Sequence, residues 1–144
     1  MCMLTKLVRS AWVSGPECGG GGPVLVSVTD FVLHRGRDLL PVYREGRRLG
    51  SRWRELDGAY GMWLWALPGA RRCGAVAVWR DEAALHGFVG WPPHVEIMRA
   101  YREKGALTSR SWGSEVSDPA VIWGRARAEL LVPPGPRPGE RSSA

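Results

Sequence analysis

Cysteine is scarce in this chain: Cys2, Cys18 and Cys73 are the three present in 144 residues, and no two stand at a metal-binding or redox spacing. That excludes a disulfide framework and a zinc motif, and it fits a reducing cytoplasm. Long apolar runs are also missing. No stretch approaches the roughly twenty apolar residues needed to cross a bilayer. The N-terminus offers Lys6 and Arg9 but not the apolar core of a signal peptide. The sequence shows no Ser-His-Asp order, paired carboxylates or metal-ligand cluster. Gly19 to Gly22 has no strand before it and no helix after it, so it is not a phosphate loop. Acidic residues are outnumbered, with fourteen Asp and Glu against twenty Lys and Arg and a net charge of +6. Such a balance suits nucleic acid, an anionic lipid surface or an acidic ligand. The densest group, Arg44, Arg47, Arg48, Arg52 and Arg54, shares its segment with Glu45 and Glu55 and reads as a solvated helix face. Nucleic acid is therefore not expected as a partner.

What the chain does have is tryptophan: eight of them, in a composition that is 44% hydrophobic. Large aromatic rings build cores and interfaces and also line ligand pockets. The length suits one domain. Residues 1–22 read as a flexible leader, with a strand or helical turn possible over 4–13 and a linker at Ser14-Gly15-Pro16 and Gly19 to Gly22. Residues 23–132 form the domain. Residues 133–144, rich in Pro, Gly, Ser and charge, read as a disordered tail.

Within the domain the apolar period alternates between two and 3.6. Val24 to Leu33 is β-branched and reads as a strand. Arg37 to Leu56 places Leu39, Tyr43, Gly46, Leu49 and Trp53 near one helix face. Ala59 to Leu67 and Gly74 to Trp79 form a hairpin around Pro68-Gly69-Ala70-Arg71. Asp81 caps a helix that buries Ala84, Leu85, Phe88 and Val89. Pro92-Pro93 interrupts, and His94 to Lys104 continues as helix. Leu107 to Trp112 is a fourth strand. Ala120 to Val132 reads as a terminal helix with Asp118 as cap and Pro119 at its first position, with a strand as the alternative.

The order is that of the ferredoxin-like βαββαβ split unit, an α+β fold, with an extra C-terminal helix. Its strands look apolar on both faces. The first sets Val24, Val26 and Val28 against Leu25, Phe31 and Leu33, and the second sets Tyr60, Met62 and Leu64 against Trp63 and Trp65. A sheet with one wet face alternates more cleanly. Two helices cover one face, so the other needs a cover too. A second copy of the chain, sheet against sheet, is the economical solution. The terminal helix or the leader folding over that face is the alternative.

The joint Val78-Trp79-Arg80-Asp81-Glu82-Ala83-Ala84-Leu85, with Phe88 and His94 after it, resembles the dimeric α+β barrel superfamily, the antibiotic-biosynthesis-type monooxygenases. Ala77 to Leu85 is also similar to the matching joint of spheroidene monooxygenase-like proteins. The likeness runs from about Val24 to about Trp112. It implies a cytoplasmic homodimer that closes a barrel through its sheet faces and holds a small apolar or aromatic ligand between sheet and helices. The group includes cofactor-free oxygenases, haem-degrading enzymes, haem-dependent enzymes and isomerases, so the implied cofactor is none or haem, and fold alone does not fix the chemistry.

His94 is the foremost candidate. A histidine in a first helical turn tends toward its neutral form, which can ligate iron, accept a proton or hold a hydroxyl. The bland alternative is a histidine bonded to a backbone carbonyl. Ile97, Met98 and Tyr101 share its helix face by spacing. Tyr101 is a candidate to donate its phenol to a bound carbonyl. The resemblance makes Trp79 a candidate floor for haem, together with His94 as ligand. Trp63, Trp65, Trp91, Phe88 and Met98 are the candidate pocket walls, Trp63 and Trp65 only if their sheet face is the one toward the helices. Arg99 and Arg102 flank the stripe of Ile97, Met98 and Tyr101 and could hold an acidic group, with surface exposure as the default, while His34 and His86 lack convincing partners. Two functions follow as expectations: a monooxygenase, cofactor-independent or haem-dependent, or a non-catalytic dimeric module that binds a small ligand.

Overall fold

The computed structural model describes residues 6–17 and 19–132; Cys2, Cys18 and the segment read as a disordered tail lie outside these. Ten elements follow along the chain: β1 (Val8–Arg9), β2 (Val13–Ser14), β3 (Val24–Leu33), α1 (Leu39–Gly50), β4 (Ala59–Leu67), β5 (Arg72–Trp79), α2 (Glu82–Val89), α3 (Pro92–Tyr101), β6 (Gly105–Ser114) and α4 (Pro119–Leu131). All strand pairings are antiparallel, in the order β1-β4-β5-β3-β6 with β2 also on β4. From β3 to β6 the architecture is the ferredoxin-like α+β unit, and α4 follows it.

The caps explain where the helices begin. The Asp81 carboxylate accepts a hydrogen bond from the Ala84 N–H, and the Asp118 carboxylate from the Ala120 N–H. The proline pair does not interrupt a helix, as the sequence suggested, but opens one. Trp91 is the extended residue before α3, and Pro92 and Pro93 fill the first positions, where no N–H is needed. The helix expected over 37–56 is shorter. It ends at Gly50, and a single 3₁₀ turn, Trp53–Glu55, follows. The break turns Trp53 inward, where it is 1% exposed.

The leader is the first correction. The strand allowed over 4–13 is present as β1, and Ser14 to Pro16, read as linker, continue with it along the outer edge of β4 as far as Glu17. Val8 and Arg9 pair with Ala66 and Trp65, and Val13 and Ser14 pair with Met62 and Gly61. Ser10 bonds both ways with Leu64 through backbone and hydroxyl, and the Gly15 and Glu17 N–H groups donate to Tyr60 and Ala59. Trp12 lies over Gly61, where a Cβ would overlap its indole.

The second correction concerns β4. Its register with β5 shifts between Ala59 and Gly61. The bulge turns Tyr60 to the side of Trp63 and Trp65, leaving Met62 and Leu64 on the other. The sheet therefore has two unlike faces. Leu25, Ala77, Trp79, Met62 and Leu64 meet α1, α2 and α3, while Val24, Val26, Val28, Val76, Val78, Trp63 and Trp65 lie opposite.

That opposite face is covered by α4. Ile122, Ala126 and Leu130 are buried against its valines and tryptophans, with Trp12, Trp112 and Trp123 packed around them. The guanidinium of Arg9 lies 5.5 Å from the ring of Trp63 and 4.8 Å from that of Trp123. Arg72 ties the far end: its Nη2 donates to Asp30 at 2.6 Å and to the Leu130 carbonyl at 3.1 Å. Of the two covers the strand pattern allowed, a second copy of the chain or the terminal helix, the single chain supplies the helix. The leader extends the cover at the β4 edge.

Leu130 is fully buried between α4 and the sheet. Leu130→Ala should lower unfolding free energy by about 2–5 kcal/mol in urea titrations. A loss near zero would mean that α4 does not pack on this face.

Candidate functional site

On the helix side, three elements bring aromatic rings together. The 3₁₀ turn after α1 supplies Trp53, the end of β5 supplies Trp79, and α2 with its junction to α3 supplies Phe88 and Trp91, with His94 from the first turn of α3. Ring centroids lie 5.2 Å apart for Trp53–Trp79, 5.2 Å for Trp53–Phe88 and 5.3 Å for Trp79–Phe88. Phe88 continues the chain of contacts to Trp91 at 6.3 Å and to His94 at 4.2 Å. The helical spacing of α2 explains this: Ala84 and Phe88, one turn apart, face the sheet, and the joint at Gly90 folds α3 back so that His94 reaches Phe88. Trp53 and Trp79 are buried, whereas Phe88, Trp91 and His94 are half-buried and form the outer rim.

The polar atoms of this nest are few. The Trp79 indole N–H donates to the Ser27 hydroxyl at 2.9 Å, which places a buried polar pair at the floor. His94 Nδ1 lies 3.1 Å from the Val89 carbonyl. A carbonyl only accepts, so the contact puts the ring's proton on Nδ1 and leaves the Nε2 lone pair available. Burial pushes the imidazole below its ordinary range, and the bond to Val89 only partly offsets this. The ring is therefore neutral at pH 7. The backbone-bonded histidine and the ligand-contacting one are compatible descriptions of the same side chain, because they use different nitrogens.

The other candidates separate. Trp63 and Trp65 lie on the face beneath α4, and Trp65 Nε1 donates to the Thr29 carbonyl at 3.2 Å. They share no pocket with Phe88 and Trp91, so the expected five-residue wall is split by the sheet. Tyr101, at the end of α3, packs with Phe31, Leu33, Ala66 and Cys73 in a different cluster from that of Trp79 and Phe88. Met98 is half-buried on α3 and packs in neither cluster. Cys73 is buried, and its thiol is pushed up to about 12 by burial and by Asp30, which makes it inert. A cleft of about 320 Å³ between α1 and α3 is lined by Glu45, Arg48, Arg52 and Glu96 together with Leu49, Pro93, Ile97 and Ala100. Among the described residues no three His, Cys, Asp or Glu side chains group to hold a metal ion, and no helix is long and apolar enough to cross a membrane.

Two residues of the nest were not singled out from the sequence. Trp53 was read as part of a helix face, and Ser27 carried no signal at all. The burial of a hydroxyl becomes explicable only when the Trp79 indole is seen above it.

Haem does not fit these residues. A porphyrin needs a slot as wide as its macrocycle between sheet and helices, and Trp53, Trp79 and Phe88 fill that space with rings in mutual contact. Trp79, fully buried and bonded to Ser27, presents no open floor.

No family model matches the chain, and no curated protein matches it by sequence. Solved structures do. A heme-degrading enzyme from Listeria monocytogenes is similar with a TM-score of 0.54 and 15% identity over 72% of this chain and 68% of that one. A proposed monooxygenase from Lactobacillus acidophilus gives 0.53 and 9% over 68% of this chain and 54% of that one. A conserved protein from Methanosarcina mazei gives 0.53 and 12% over 64% and 91%. This chain thus spans about half the length of that proposed monooxygenase. At these identities the likeness is one of fold. It supports the α+β fold seen in the strand order, with α4 following it.

An unfolded histidine takes up its proton near pH 6.5, and folded His94 does so only at lower pH. The stability contributed by the neutral ring is therefore present above about pH 6.5 and is lost as pH falls through the folded value. An NMR titration should give His94 a midpoint below 6.5, and the urea midpoint of the wild type should fall more between pH 7 and 5 than that of His94→Gln. A His94 midpoint at or above 6.5 would contradict the burial account.

Proposed function

We propose that the chain binds a small, flat, apolar molecule carrying an aromatic ring system in the nest of Trp53, Trp79, Phe88, Trp91 and His94, and oxygenates it with dioxygen without a cofactor. The observation that carries this reading is the His94 imidazole, its Nδ1 against the Val89 carbonyl, in ring contact with Phe88 at the half-buried rim of a cluster of aromatic rings; burial favours its neutral form. Phe88 is the piece that yields. When it swings outward, a ligand ring takes its place against Trp53 and Trp79 with the same edge and tilted contacts.

The chemistry follows from what surrounds the ligand. Apolar walls exclude water and strengthen every charge interaction inside. His94 Nε2 takes a proton from an acidic CH₂ beside the ring, leaving an electron-rich carbanion. Dioxygen reacts with that carbanion. Overall a CH₂ beside the ring and one O₂ become a C=O and one H₂O. The fold group contains proteins of this kind, which supports the reading without supplying the substrate.

A second reading, a ligand-binding module without turnover, is favoured by one specific feature. Tyr101, the other candidate acid, packs in a separate cluster, so His94 works alone.

Oxygen-electrode assays over a panel of polyphenols, run beside binding measurements on the full chain, separate the two. Oxygenase function predicts uptake that His94→Gln lowers by about 100-fold or more, with binding kept. Binding without uptake selects the module, and the absence of both contradicts either reading.

A further inference from the structure

Three tryptophans in this chain, Trp53, Trp65 and Trp79, are fully buried. Two have acceptors for the indole N–H: Trp65 uses the Thr29 carbonyl and Trp79 the Ser27 hydroxyl. Trp53 does not. Its Nε1 is enclosed and has no hydrogen-bond partner among the described residues. A buried donor without an acceptor gives up its bond to water and gains nothing in exchange, so such groups are rare and call for a reason. Tryptophan is also a costly way to fill this space with carbon alone, because phenylalanine would do so without the donor.

The place of the orphan suggests its use. Trp53 contacts Trp79, against which a ligand ring would sit, and Phe88, whose place that ring would take. The polar atoms of its neighbours are already taken: the Trp79 N–H by Ser27, and the Nδ1–H of His94 by Val89. Among the fully buried side chains of the nest the Trp53 N–H is the donor left over.

We infer that the Trp53 indole N–H is the positioning donor of the nest and accepts as its partner a ligand oxygen, so that the preferred ligands are flat aromatic molecules bearing a carbonyl on or next to the ring. The inference rests on the nest being the binding site. The hydrogen bond fixes the orientation of the ligand within the nest. It also explains selectivity: a site with an unpaired buried donor rejects the analogue that lacks the acceptor more strongly than a purely apolar slot does.

A pair of probes with matched shape tests this: 1-acetonaphthone, which has the carbonyl, and 1-ethylnaphthalene, which does not. Both are titrated into the full ¹⁵N-labelled chain while the indole N–H resonances are followed, that of Trp53 being assigned by its loss in Trp53→Phe. The ketone should bind about 5- to 10-fold tighter than the hydrocarbon and shift the Trp53 N–H downfield. In Trp53→Phe that preference should vanish, the two probes binding equally whatever the smaller ring does to the affinity of both. Equal affinities in the wild type, a preference that survives Trp53→Phe, or a Trp53 N–H that the bound ketone leaves unmoved would overturn the donor role while leaving the nest as a binding site. The wild-type resonance decides this even if the variant does not fold. If neither probe moves the Trp53 or Trp79 resonances, the nest is not a site for such molecules, and the proposed function fails together with this inference.

Discussion

Every residue of β4, from Ala59 to Leu67, is buried. A nine-residue strand in that state needs cover on both faces and both edges, and the rest of the molecule supplies it. β5 takes one edge and the leader the other. α1, α2 and α3 lie against one face, and α4 lies against the other. The apolar surface of Trp63, Trp65 and the neighbouring valines is too large to leave in water, since burial is worth about 25 cal/mol per Å². Removing any one of the four covers exposes the strand on that side.

This arrangement decides where function can reside. The sheet sorts the tryptophans into two populations. Trp12, Trp63, Trp65, Trp112 and Trp123 belong to the packing beneath α4, pinned by Arg9, Arg72 and Arg125. Trp53, Trp79 and Trp91 belong to the helix side, where the covering layer is thin because α2 is short and α3 starts abruptly at its proline pair. Half-buried rings and a neutral histidine occur together on that side. In a barrel closed by two sheets the face now under α4 would meet a partner, so the covered face removes the argument for that closure without touching the single-chain nest.

Much of this was legible in the sequence. The period-two runs gave β3 and β4 their observed limits, and Asp81 and Asp118 cap α2 and α4 as their side-chain chemistry dictates. What was not legible depended on contacts distant along the chain. Val8–Arg9 and Val13–Ser14 are too short to announce themselves as strands, and only the edge of β4 gives them partners. The bulge at Ala59–Gly61 is invisible to an alternation rule, which therefore misplaced Tyr60. The two faces of β4 are both apolar, so no pattern could say which carried Trp63. At the site, His94 and Phe88 were found from the joint of strand and helix, whereas Trp53 was hidden in a helical period that the chain abandons at Gly50. Tyr101 shared a spacing with His94 but not a neighbourhood, because a helix of this length carries one face past two different clusters.

The account stands on one chain covering both sides of its own sheet. The most direct measurement is an isotope-filtered NOE experiment on an equal mixture of labelled and unlabelled protein, observing the Ile122 and Leu130 methyl groups against those of Val26, Val28 and Val76. The account predicts strong NOEs within a labelled chain and none between labelled and unlabelled chains. NOEs seen only between chains, or none at all, would show that the face is covered by something other than its own terminal helix and would contradict the account.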